Sequence, residues 1–158
     1  MLKNTHFLSL DDYSRSEIRT LLDTAADMKR HKESYREALK GKVLAMIFEK
    51  SSTRTRVSFE TGIYQMGGIG QFLSSRDIQI GRGEPIYDTA AVLSRFVDGI
   101  MARTFAHQTV TDLAKFGTVP VINGLTDQEH PCQIMAALQT AREEFGNLEG
   151  LDFVYIGD

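Results

Sequence analysis

The sequence has no tryptophan, only three prolines and a single cysteine in 158 residues. One cysteine, Cys132, excludes an intrachain disulfide, so this chain must be held together by a packed core. The longest apolar run, Val43–Phe48, falls far short of the ~20 residues a spanning helix requires. The amino terminus, MLKNTHFLSLDDY, has one lysine and no apolar stretch, so no secretory leader is expected. Positive charge is not in excess either: 18 Lys and Arg face 21 Asp and Glu, a net charge of −3. That balance counts against a nucleic-acid partner. Repeats, low-complexity tracts and Pro/Gly/Ser-rich linkers are missing. So is the GxxxxGK[ST] phosphate loop, and neither GGIG nor GRG completes a dinucleotide-binding fingerprint. His6, His31 and His107 are scattered without metal-ligand spacing, so no metal or other cofactor is expected. No activating base is patterned beside Cys132, which is expected to be a small buried hydrophobe, not a nucleophile. These absences leave an expectation of a soluble, cytoplasmic protein without membrane contact.

What is present is an alternation of short apolar runs with longer amphipathic ones. SRSEIRTLLDTAADMKR predicts a first helix, with Ser14 and Glu17 placed for a capping box and Ile18, Leu21, Leu22 and Ala25 on one face. VLAMIF predicts a strand buried on both sides. A helix over 52–66 ends at Gly67-Gly68, and a short strand follows over 70–73. SSRDIQIGRGEP has no period and predicts a loop. Pro85 then suits the first turn of a helix through IYDTAAVLSRFV. GIMAR is a third strand, followed by a short helix ending near Gly117 and a fourth strand, VPVIN. Pro131 opens the helix PCQIMAALQTAREEF, which Gly146 ends. LDFVYIGD predicts one more strand and a turn.

This order implies an α/β fold: a parallel sheet with helices on both faces. Ligands in such sheets collect at the carboxyl ends of the strands. The chemistry is therefore expected after VLAMIF, GIMAR and VPVIN. LDFVYIGD has no following helix to cover it. The expectation is a domain over residues 1–147, with 148–158 as the first strand of a second domain that is truncated here.

At the first strand end, FEKSSTRTRVSFE sets Ser52, Thr53, Arg54, Thr55 and Arg56 at a helix start. Free backbone N–H groups, hydroxyls and a guanidinium there suit an anion. Residues two apart on a helix diverge by about 200°, so Arg54 and Arg56 cannot both face one ligand. Arg54 is assigned to the anion, and Arg56 to a structural pairing with Glu49 or Glu60. A capped helix with solvated arginines fits the same spacing. Arg103 ends the third strand, where an arginine also commonly marks a strand leaving the core. His130 and Gln133, three apart across a helix start, share a face. His130 can donate to a carbonyl oxygen or cap the helix, and Gln133 can hold an amide.

Together FEKSSTRTRVSFE, QIGRGEPIYDTAAVLSR, GIMART and NGLTDQEHPCQ resemble the aspartate/ornithine carbamoyltransferase family in kind, order and spacing, from about residue 43 onward. The resemblance implies the amino-terminal, carbamoyl-phosphate-binding half of a two-domain transferase. It implies that Ser52, Thr53, Arg54 and Thr55 hold the phosphate of carbamoyl phosphate. Arg103 and His130, with Thr55, would hold the carbonyl oxygen, and Gln133 the NH2 group. Gln79 corresponds to a residue that reaches a neighbouring subunit's site in related trimers, which makes a homotrimer the expected assembly. The motifs are nearer the ornithine type than the aspartate type, whose members tend to carry FEPSTRTR and NAGDGxxxHPTQ. L-Ornithine is the implied acceptor, aspartate or an ornithine derivative an alternative, and a non-catalytic phosphate-binding module a rival. One departure is Ala137, where the family often has an acid four residues after the HPxQ glutamine.

Overall fold

The computed structural model describes residues 6–156, and at 81 and 82 the backbone only. Among the described residues, five α-helices and four strands alternate along the chain, with two short 3-10 turns. Helix α1 covers Arg15–Arg30. Strand β1 (Val43–Phe48) leads to α2 (Thr53–Gln65) and β2 (Ile69–Ser74). Then follow α3 (Ile86–Leu93), β3 (Gly99–Arg103), α4 (His107–Phe116), β4 (Val121–Leu125) and α5 (Pro131–Phe145). All strand pairings are parallel, in the order β2-β1-β3-β4. The chain thus runs from β1 outward to β2, then returns to place β3 on β1's other side. That reversal is a topological switch point, and it sets the carboxyl ends of β1 and β3 side by side.

Side chains alternate across a strand, and here both faces of the sheet are covered. Ala45 and Ile47 of β1 and Ile100 and Ala102 of β3 pack with Ala90 of α3 and Val110 and Leu113 of α4. Leu44, Met46 and Phe48, with Met101, pack on the other face against Phe59 and Ile63 of α2. The arginine two residues beyond Met101 therefore leaves the sheet on the α2 side. α5 lies along β4, with α1 against it.

The expected local signals are present where they depend on near neighbours. Ser14 and Glu17 form the reciprocal capping box of α1. Gly146, at φ 78°, takes the positive dihedral at the end of α5.

The structure differs from expectation in several places. β4 starts at Val121, not at Val119. Pro120 has no N–H to donate, although its carbonyl accepts from Ile100 (2.8 Å). From Val121 the strand gains an outer partner. Phe7 donates to the Val121 carbonyl (2.7 Å) and accepts from the Asn123 N–H (2.8 Å). α3 closes at Leu93, three residues after the buried Ala90, and tight turns complete the segment through Phe96. The loop over 74–85 includes a 3-10 turn, Gln79–Arg82. The strand expected in LDFVYIGD does not form over its described residues, 151–156, and Gly157 and Asp158 lie outside them. With no neighbouring strand to pair, Phe153, Val154, Tyr155 and Ile156 stay 66–93% exposed. No helix among the described residues is long and apolar enough to cross a membrane.

Candidate active site

β1, β3 and β4 each end in a loop that delivers one part of a single cavity. It has a volume of about 440 Å³ and lies between the N-terminal ends of α2 and α5. Ser52, Arg54 and Thr55 come from the first loop, Arg103 from the second, and His130 and Gln133 from the third. Residues separated by up to 81 positions in sequence thus meet at the switch point of the sheet.

The α2 end is shaped by its cap. Ser52 is the N-cap, its Oγ accepting from the Thr55 N–H at 3.3 Å and donating to Thr55 Oγ1 at 3.1 Å. The N–H groups of Thr53 and Arg54, in the first turn, have no intrahelical acceptor and carry the positive end of the helix dipole. Arg54 opens into the cavity, whereas Arg56 points elsewhere, as the 3.6-residue period requires. Arg56 Nε bonds Glu60 Oε1 at 3.1 Å, and its guanidinium lies 3.7 Å from the centre of the Phe72 ring. The pairing expected of Arg56 is therefore present, with Glu60.

Arg103 reaches back across the sheet end, its Nη1 donating to Thr55 Oγ1 at 3.4 Å. A bulge aims it. Ala102 pairs with Asn123 but Arg103 with Leu125, so Gly124 is an extra residue in β4. Gly124 also lines the cavity, and a Cβ there would sit 2.6 Å from Met101 Sδ. A side chain at this position would crowd both the sheet and the site.

The site carries positive charge without a matching anion. Arg103's pKa is lowered by burial and by the neighbouring Arg54 cation. Burial and the Arg103 charge likewise depress the pKa of His130, keeping the imidazole neutral at pH 7. Two of its buried polar atoms, Arg103 Nε and His130 Nδ1, have no hydrogen-bond partner. Such groups are costly unless something completes them. His130 occupies the N-cap position of α5 yet its side chain makes no capping hydrogen bond, which removes the side-chain capping role its sequence position allowed. Pro131 at N1 needs no cap of its own, because it has no N–H. Cys132, although at the rim, donates its S–H to the Asn123 carbonyl (3.3 Å), and burial pushes its pKa up to about 11. It is no nucleophile at neutral pH.

Two residues expected at the site are not brought to this cavity by their side chains. Thr53 is exposed and lines an adjoining open cleft with Val57, Thr61 and Gln65, and Arg54 and Ser58 border both that cleft and the cavity. Gln79 is exposed on its 3-10 turn. Ala137 is not among the cavity residues. Sequence reasoning missed Gly124, and it offered Glu49 only as a partner for Arg56. Glu49's carboxylate accepts from the Phe105 N–H at 2.9 Å, behind Arg103. The glycine could have been suspected as a backbone close approach within a strand. The Glu49 contact spans 56 positions and has no local signature.

Known proteins match both the sequence and the fold. Residues 5–143 match the family described as aspartate/ornithine carbamoyltransferase, carbamoyl-P binding domain. An ornithine carbamoyltransferase of Oceanobacillus iheyensis is 63% identical over 159 residues, covering 99% of this chain and 49% of that protein. The structure of ornithine carbamoyltransferase from Pyrococcus furiosus superimposes with a TM-score of 0.88 at 51% identity, over 92% of this chain and 47% of that one. The Thermus thermophilus enzyme gives 0.89 at 46% identity, over 95% and 52%. The chain thus spans about half the length of the curated relatives it matches. An anion-shaped site at the switch point of a parallel sheet and a match over most of the chain lead to one assignment: this chain belongs to the aspartate/ornithine carbamoyltransferase family and carries its carbamoyl-phosphate-binding domain.

Proposed function

We propose that this chain is the carbamoyl-phosphate half of an ornithine carbamoyltransferase, which transfers the carbamoyl group to the δ-amino group of L-ornithine and releases citrulline and phosphate. Residues 1–147 form that half, and 148–158 begin the acceptor-binding half. The remaining length of the relatives is where the acceptor-binding residues belong, so the chain alone is expected to bind carbamoyl phosphate weakly and turn over negligibly. Ornithine is preferred to aspartate because the full-length relatives at more than 50% identity carry that name. A cytoplasmic setting fits a chain whose described helices include no membrane span.

The observation that carries this reading is the convergence of Arg54, Thr55, Arg103 and His130 on one cavity, with two buried polar atoms left unpartnered. The phosphate sits at the α2 N-terminus, held by Arg54, the hydroxyls of Ser52 and Thr55, and the backbone N–H groups of the first turn, to which Thr53 contributes. The carbonyl oxygen lies toward Arg103, Thr55 and His130. The carbamoyl NH2 faces Gln133. As the amine attacks the carbamoyl carbon, charge grows first on the carbonyl oxygen, then on the departing phosphate. Donors at both places stabilise that charge without an acyl-enzyme. His130 serves as a neutral donor, consistent with its depressed pKa.

Gln79, exposed and outside its own chain's cavity, is assigned to a neighbouring subunit's site in a homotrimer. The test is kinetic, on the longer protein that contains this chain. Arg54→Ala should remove nearly all citrulline formation, and near-normal turnover in that variant refutes the reading.

A further inference from the structure

Behind the cavity, the turn that follows Arg103, through His107, is gripped from two sides. On one side Glu49 accepts from the Phe105 N–H through Oε2 at 2.9 Å. The same residue's N–H donates to the Arg103 carbonyl at 2.9 Å. On the other side Asp127 Oδ1 accepts from the His107 N–H at 3.1 Å, and the Asp127 N–H donates to the Phe105 carbonyl at 2.8 Å. Lys50 Nζ lies 4.5 Å from the centre of the Phe105 ring and closes the first side. The second side continues toward His130. Thr126 N–H donates to the Glu129 carbonyl (2.9 Å), and Thr126 Oγ1 accepts from the Glu129 N–H (3.1 Å). One hydrogen-bonded path therefore joins the loops after β1, β3 and β4, the three that carry Arg54, Arg103 and His130.

We propose that Glu49 and Asp127 are positioning residues: two carboxylates, neither in the cavity, that fix the Arg103 turn between the phosphate-side loop and the His130 loop. The assignment rests on the function proposed above. Its geometry is not what local stability asks for. α4 has Ala106 at its N-cap, with no side-chain cap of its own. A Ser or Asp at 106 would cap that helix locally, whereas a cap supplied by Asp127 also ties the helix to the β4 loop. The need for a tie follows from charge. Arg103 sits beside another cation, Arg54, with its Nε buried and unpartnered and a single long bond to Thr55. Arg103 ends β3, and the Glu49 main-chain N–H holds its carbonyl. The two carboxylates act on the residues that follow it, at the Phe105 and His107 N–H groups, and so fix the direction in which the chain leaves the strand beneath the Arg103 side chain. Donors fixed before the substrate arrives need no reorganisation during the reaction.

The test uses this chain, with the His130 ring followed by NMR through a pH titration and carbamoyl phosphate binding followed by calorimetry. Burial first and the Arg103 charge second depress the pKa of that ring. Glu49→Ala should let Arg103 swing away, so the His130 midpoint rises toward its ordinary value and affinity falls roughly 10- to 100-fold. Glu49→Gln keeps an acceptor oxygen for the Phe105 N–H and should restore both. A loss of stability alone would not move the imidazole midpoint in a folded variant, which separates positioning from scaffolding. If Glu49→Ala does not fold, Asp127→Ala and its conservative partner Asp127→Asn are read the same way. A folded alanine variant with an unchanged His130 midpoint overturns the proposal. A parent chain that binds no carbamoyl phosphate overturns the proposed function instead. The His130 midpoint then decides the positioning role alone: raised in the alanine variant supports it, unmoved refutes it.

Discussion

Replacing Arg103 with methionine should make the empty chain more stable and destroy its ligand site. The side chain is partly buried, its Nε has no partner, and Arg54 beside it disfavours the charge. An unsatisfied buried donor costs about 1–3 kcal/mol, whereas the one bond lost, to Thr55 at 3.4 Å, is long and contributes at most about 1 kcal/mol. Methionine is flexible enough to fill the space left by the arginine stem. The net gain is then about 1 kcal/mol, which for a chain of this size raises Tm by roughly 2–4 °C. On the functional side, removing a donor to the developing oxyanion typically costs ~3–4 kcal/mol of transition-state stabilisation. In the longer enzyme that amounts to roughly 100- to 1000-fold in turnover. Thermal unfolding of the chain, with citrulline formation by the longer protein, reads both effects. Opposite signs are the point, since a site that trades stability for function should show them together. A clear fall in Tm would mean that Arg103 braces the sheet end, and the reasoning from its unpartnered nitrogen would be wrong.

The two arginines of the STRTR stretch should separate in the same assays. Arg54→Ala should weaken carbamoyl phosphate binding by roughly 10- to 100-fold, the scale of one charge-assisted hydrogen bond, with little change in Tm. Arg56→Ala should leave binding intact and cost about 1 kcal/mol, from the lost Phe72 stacking and the exposed Glu60 pair. His130 gives a pH dependence. Its folded pKa lies below the unfolded value of about 6.5, so the unfolded chain binds more protons between the two. Stability should therefore fall as pH drops below about 6.5 and level off beneath the folded pKa, and His130→Gln should flatten that slope in acid unfolding curves. Bound carbamoyl phosphate, an anion, should raise the His130 midpoint. For Gln79, mixing inactive Gln79→Ala subunits with inactive Arg54→Ala subunits of the longer protein should restore some activity, because mixed trimers would contain intact shared sites. No recovery on mixing would place Gln79 in its own subunit's site.

Where the sequence was legible, the signals were local. The Ser14–Glu17 box, the positive-φ Gly146 and the unbroken apolar run VLAMIF each depend on residues within one turn or one strand. The divergence of Arg54 and Arg56 followed from helix geometry alone, and the Glu60 partner was within reach of that argument. Arg103 and His130 were placed by the general rule for strand ends in parallel sheets, strengthened by family resemblance. What stayed hidden is what distant segments decide. Phe7 adding to the edge of β4, the extra Gly124 opposite Arg103 and the Glu49 hold on Phe105 all need the assembled sheet. LDFVYIGD has strand composition, but pairing requires a neighbour, and within residues 151–156 it has none. His130 looked equally suited to capping, and only the assembled structure shows that its side chain makes no capping bond.

The central claim is that one cavity at the switch point binds carbamoyl phosphate, with the phosphate at the α2 N-terminus and the carbonyl toward Arg103 and His130. The most direct measurement is a backbone amide NMR titration of the chain with carbamoyl phosphate, repeated with inorganic phosphate. Carbamoyl phosphate should perturb Thr53–Thr55, Arg103–Thr104 and Cys132–Gln133 together, and phosphate only the first group. A second cavity, of about 790 Å³, lies between α1 and α5 and is lined by Arg19, Leu22, Leu138 and Arg142; perturbations confined to it, or none at these three loops, would contradict the account.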